Sequence, residues 1–175
     1  MRCEGYLLIT RDVRRSQAFY ETVLNAQATL ELEKHVVFKG GFSLLQEDDW
    51  RVFSEMNSRP CSYAHHTGQL VFETDNIAEF TQKLARFPEI KLLHPLKELP
   101  WGRKAIRFYD PDGHVVEVGE SMELVIKRFL ENGLSIAETA LRSEFPEEYV
   151  RRCKEEMQSE KINLGTENEE AGERS

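Results

Sequence analysis

The first apolar residues of the chain form a short continuous block, Tyr6-Leu7-Leu8-Ile9, closed by Thr10-Arg11-Asp12. A block of that length with a turn after it reads as a buried strand over residues 4 to 10. Past Asp12 the apolar spacing changes to that of one helix face, at Phe19, Tyr20, Val23 and Leu24. Three β-rich pieces follow: 27 to 33, where Ala28, Leu30 and Leu32 alternate with polar residues, then 35 to 39 and 42 to 46, divided by Gly40-Gly41. Residues 4 to 46 are therefore predicted to be a βαβββ unit.

A polar connector leads to the same order again over residues 68 to 119. Leu70-Val71-Phe72 predicts a strand, and Ile77, Phe80, Leu84 and Phe87 mark a helix face, with Asn76 and Glu79 spaced as a capping box. Strands are predicted at 90 to 96, 103 to 109 and 114 to 119, the last two joined by the turn sequence Asp110-Pro111-Asp112-Gly113. Corresponding points are offset by 63 residues (Asp12 to Asp75) and 72 residues (Gly41 to Gly113), so an internal repeat of unequal copies is the economical reading.

Beyond Gly119 the pattern is helical from 121 to 157. Met122, Val125, Ile126, Phe129 and Leu130 form one stripe, which Gly133 ends. Ser135 and Glu138 form a capping box for a short second helix, and Phe145-Pro146 starts a third that carries Tyr149, Val150, Cys153 and Met157. Residues 158 to 175 have no large apolar group after Leu164 and are read as a disordered acidic tail, since nothing there offsets the entropy of ordering.

Composition narrows the function. With 175 residues and 40% hydrophobic side chains there is material for one main domain, residues 1 to 120, and an appendage. The net charge is −8, of which −5 falls in residues 121 to 175, where 8 Lys/Arg face 13 Asp/Glu. An acidic surface releases no counterions from a polyanion, so neither nucleic acid nor membrane is expected as a partner. The helix-turn-helix outline around Gly133 to Tyr149 does not change this, because Glu147, Glu148, Glu155 and Glu156 offset Arg151, Arg152 and Lys154. Cys3, Cys61 and Cys153, odd in number and far apart, read as reduced thiols, and the first apolar run is too short for a signal or membrane segment. A cytoplasmic location is expected.

The stretch Trp101-Gly102-Arg103-Lys104-Ala105-Ile106-Arg107-Phe108-Tyr109-Asp110-Pro111-Asp112-Gly113-His114-Val115-Val116-Glu117, taken with Thr10-Arg11-Asp12 and the Phe19-Tyr20 pair, resembles the glyoxalase/bleomycin-resistance/dioxygenase (vicinal-oxygen-chelate) superfamily over residues 4 to 120. The resemblance implies an α+β fold of paired βαβββ modules whose two sheets form an open cup, here with a helical C-terminal extension. It implies a divalent cation (zinc, nickel, manganese or iron) held in the cup by His, Gln or Glu. The matching positions here are Gly5, Leu45, Gln69 and Glu117. Gly5 and Leu45 have no donor atom, which leaves Gln69 and Glu117, two ligands where a catalytic zinc usually has three.

Strand alternation puts Glu73 on the Gln69 face as a further ligand, and Trp101, in a Pro-Trp-Gly loop, is expected to wall the pocket. Glu117 is the candidate catalytic base; its alternative reading is a strand carboxylate paired with Lys104 or Arg107. Among His35, His65, His66, His94 and His114 no spacing matches the family, and His65-His66 lies just before the Gln69 strand. Three functions stay open: a homodimeric protein holding a small organic ligand in a cup with a degenerate metal site, a metal-dependent lyase, isomerase or dioxygenase, or an interaction protein whose cup is degenerate and whose helical extension carries its role.

Overall fold

Asp12 ends the first strand and starts the first helix, because its carboxylate accepts the backbone N–H groups of Arg14 and Arg15, each at 3.0 Å. The structure, a computed structural model, describes residues 5–55, 61–63 and 67–172, with side chains to residue 159. The first half runs β1 Tyr6–Thr10, α1 Val13–Leu24, β2 Ala28–Glu31, β3 His35–Phe38 and β4 Phe42–Gln46. After α2 Glu47–Phe53 the order returns as β5 Gln69–Thr74, α3 Ile77–Leu84, β6 Leu92–Glu98, β7 Lys104–Tyr109 and β8 Val115–Glu120. Three helices close the chain: α4 Met122–Glu131, α5 Ile136–Ser143 and α6 Glu147–Gly172.

Each βαβββ unit makes a four-stranded sheet with the same crossing order, β1-β4-β3-β2 and β5-β8-β7-β6, as an internal repeat requires. In the first, β1 lies parallel to β4, with Tyr6 opposite Phe42 and Leu8 opposite Leu44, and β3 runs antiparallel to β4. Contacts divide the chain into two compact units, one of Met1–Val71, Ala78–Pro95 and Ile106–Glu117, the other of Phe72–Ile77, Leu96–Ala105 and Val118–Ser175.

The first unit's core is aromatic. Tyr20 of α1, fully buried, packs its ring 5.9 Å from Phe38 and 5.2 Å from Phe42, which stack on each other at 4.7 Å. Phe108 of β7 likewise sits against Phe19 and Phe80, at 6.3 and 6.1 Å, which identifies the helix-covered face of the second sheet.

The turn between β7 and β8 is more than a turn. Asp110, buried, accepts backbone N–H groups from Asp112 and His114, the Tyr20 hydroxyl at 2.9 Å and Nδ1 of His114 at 2.8 Å. Asp112, its side chain wholly buried, accepts from Arg11, Arg15 and the Ser16 hydroxyl, and so ties this turn to the start of α1. Burial pushes the Asp110 carboxyl up, but the hydrogen bonds and charge of His114 and the Tyr20 bond outweigh it and hold its pKa below the ordinary value. Burial first, then the Asp110 charge, raises the Tyr20 phenol well above 10.

The signs follow by linkage. Stability from the depressed carboxyl is complete above its unfolded pKa of about 4 and is lost as pH falls below it. Stability from the raised phenol is complete below its unfolded pKa of about 10 and is lost as pH rises beyond it. Urea unfolding across pH should therefore show a plateau between these limits, and Tyr20→Phe should cost about 1–2 kcal/mol at pH 7. An unchanged midpoint in the variant would disprove the assignment.

In the second unit Ile126, Val150 and Cys153 form a buried cluster, with Leu130, Ile136, Ala140, Phe145 and Tyr149 around it, so the predicted stripes of the three C-terminal helices face one another. Gly133 follows α4 with φ +88°, and the Ser135–Glu138 capping box is formed in both directions. Gly102 lies against α4 so closely that a Cβ there would come 2.1 Å from the Phe129 ring.

One expectation is amended. The connector contains the helix α2, which begins with Glu47, Asp48 and Asp49, acids that favour a helix N-terminus, but buries no residue. It has no apolar stripe for periodicity to detect. The backbone of α6 continues to Gly172.

Candidate functional site

On the face of the second sheet turned away from Phe108, a line of polar side chains crosses all four strands. Gln69 of β5, Glu117 of β8, Arg107 of β7 and His94 of β6 follow the spatial order β5-β8-β7-β6, each bonded to the next. Gln69 Nε2 donates to Glu117 Oε2 at 3.2 Å, and Gln69 Oε1 accepts from Arg107 Nε at 3.1 Å, so the network itself sets the amide orientation. Arg107 Nη2 pairs with Glu117 Oε2. Arg107 Nη1 donates to His94 Nε2 at 3.0 Å, while the Nδ1–H of His94 is taken by the Pro95 carbonyl at 2.8 Å.

The sheet thus brings Gln69 and Glu117 together and adds His94, which sequence reasoning did not place with them. Arg107 was expected there only as a half-solvated alternative partner for Glu117. Instead the Glu117 side chain is 4% exposed and that of Arg107 21%, so the carboxylate is buried and the guanidinium is its lid. This is not the half-solvated pair of negligible worth that strand position alone suggested. Alternation within β6 put His94 on one face of its strand, but no sequence signal showed that β6 lies beside β7.

The other predicted positions separate. Gly5 has φ +147°, and a Cβ there would lie 2.3 Å from the Gly41 carbonyl oxygen, the acceptor for Tyr6 N–H, so the backbone leaves no room for a donor side chain. Leu45 is buried, opposite Ile9 and His35 in the first sheet. A depression of about 270 Å³ on that sheet is lined by Leu7, Val37, Phe42 and Ser43 together with His35, the one imidazole in it. Glu73 forms an ion pair with Arg103 at 3.5 Å in the second unit. Trp101, half-buried, occupies the tight turn before β7 that the Gly102 N–H to Leu99 carbonyl bond closes, also in the second unit. His114 is engaged by Asp110, and His65 and His66 lie outside the described residues. A larger cavity of about 470 Å³, lined by Phe19, Phe87, Ile90 and Tyr109, contains none of the polar line.

The donor set is a poor fit to a metal ion. Its carboxylate, amide oxygen and imidazole nitrogen all converge on the Arg107 guanidinium, and a cation is therefore already built into the position. Among the described residues no group of three or more His, Cys, Asp and Glu is arranged to hold a metal.

This is the architecture of a paired-module βαβββ protein. The sequence matches the Glyoxalase-like domain family over residues 3–123, and the chain belongs to that family. A protein of unknown function from Agrobacterium tumefaciens str. C58 is 33% identical, with 69% of this chain and 94% of that one covered and a TM-score of 0.64. A lactoylglutathione lyase from Agrobacterium tumefaciens is 25% identical (69% and 93% covered, TM-score 0.51). A glyoxalase/bleomycin resistance protein/dioxygenase from Nocardioides is 20% identical (69% and 83%, TM-score 0.57) and shares the fold. No protein of curated function matches the sequence. No described helix is long and apolar enough to cross a membrane.

Proposed function

We propose that this chain binds a small organic ligand on the polar line of its second sheet, without a divalent metal. The observation that carries the reading is Arg107: its guanidinium donates to Gln69 Oε1 and His94 Nε2 and pairs with Glu117 Oε2, engaging lone pairs that a metal would otherwise need. A lyase, isomerase or dioxygenase of this family would use a cation as a Lewis acid on substrate oxygens, and a cation needs ligand lone pairs that are not already committed. Glu117, bound to Arg107 and Gln69, is held as a structural anion rather than a base.

The reading includes a cytoplasmic homodimer, supported by the free Cys61 and Cys153 and by the exposed Leu30 on β2, an edge strand that another copy would cover. The test is elemental analysis of chelator-free protein together with titration by zinc and nickel. Sub-stoichiometric metal and no saturable binding at micromolar concentration are expected. One tightly held ion per chain, lost in Glu117→Ala, would overturn the proposal in favour of the metal-dependent enzyme.

A further inference from the structure

Arg107 also indicates what kind of ligand the site takes. A guanidinium has five N–H donors, and three are used, on Gln69 Oε1, His94 Nε2 and Glu117 Oε2. The remaining two belong one to each terminal nitrogen, and no described residue accepts them. The cation is the more exposed member of its pair, 21% against 4% for Glu117, so a molecule arriving at this face meets the guanidinium first and the carboxylate behind it. An N–H on a cation calls for an oxygen acceptor, and a carboxylate meets a guanidinium with two oxygens at matching spacing.

The charge on the line limits the ligand further. Glu117 already offsets the Arg107 charge, so a ligand carrying at most one negative charge is better matched than a dianion. Apolar side chains stand on the same face by strand alternation: Val71, two residues beyond Gln69, is 51% exposed, and Leu92, two residues before His94, is 43% exposed. Apolar groups left open beside a cationic anchor suit a molecule with one acidic end and a hydrophobic body.

We propose that the ligand is an amphipathic monocarboxylate, its carboxylate on the free Nη1–H and Nη2–H of Arg107 and its apolar body over Leu92 on the neighbouring strand β6. This rests on the metal-free reading above. The test is calorimetric titration of the full chain with octanoate, octanamide and octylamine. Octanoate should bind at least about tenfold more tightly than octanamide, since a charge-assisted bond replaces a neutral one, and octylamine should be weakest. Arg107→Gln should remove the preference for octanoate over octanamide, and Arg107→Lys should retain part of it, as a charge without the fork.

Equal binding of acid and amide, a preference for the amine, or no octanoate binding at millimolar concentration would overturn the proposal. The three probes on the unmodified protein decide this even if Arg107→Gln fails to fold. Saturable zinc binding by the same preparation would instead remove the metal-free reading, independently of how the probes rank.

Discussion

Arg107→Ala is expected to bind zinc at least about 100-fold more tightly than the unmodified chain, because it empties the centre of a shell of donors that a metal could use. Truncation removes the guanidinium and leaves Gln69 Oε1, the Glu117 carboxylate and His94 Nε2, each of which had been bonded to it. Three protein ligands of N and O type plus water is the composition of a catalytic zinc site. His94 is already in the required tautomer, since its Nδ1–H is held by the Pro95 carbonyl and the Nε2 lone pair faces the site. The same variant removes the guanidinium from beside a buried carboxylate, a destabilisation that zinc should partly offset. Calorimetry and thermal unfolding with and without zinc read both effects. If Arg107→Ala gains no zinc affinity, or if the gain persists when Glu117→Gln is added, the three donors do not converge as a ligand set.

Asp112→Ala should destabilise the fold by about 3 kcal/mol. Its carboxylate is fully shielded and gathers Arg11, Arg15 and the buried Ser16 hydroxyl, so truncation breaks several bonds together and leaves Ser16 without that acceptor. The two arginines are about half exposed and regain water, which keeps the cost below that of an enclosed ion pair. Asp112→Asn preserves the shape and one acceptor and should cost distinctly less. Denaturant unfolding separates the two variants, and equal losses would mean that the carboxylate acts by packing rather than by charge.

Both predictions concern residues whose importance the sequence showed only in part. The Asp-Pro-Asp-Gly run was legible as a turn, because those residue types favour one. That both its aspartates are buried, one under the Tyr20 hydroxyl and the other under Arg15, depends on α1 lying against a turn nearly a hundred residues later. Gln69 and Glu117 were found through family resemblance, and the sheet does join them. Arg107 and His94 were not assigned to the site because their partners come from neighbouring strands, and alternation says which side chains share a face without saying which strands are adjacent.

What the sequence determined by itself was local and periodic. The switch between two-residue and helical spacing specified both βαβββ units and the three C-terminal helices, and the caps at Asp12 and Ser135 marked where helices begin, since such signals act through hydrogen bonds within a few residues. Tertiary structure alone decided the chemistry of the site. Only the strand order β5-β8-β7-β6 sets a guanidinium between an amide, a carboxylate and an imidazole drawn from four strands. Burial of that carboxylate strengthens its pairing with the guanidinium, because desolvation and charge interaction depend on distances through space that no spacing along the chain encodes.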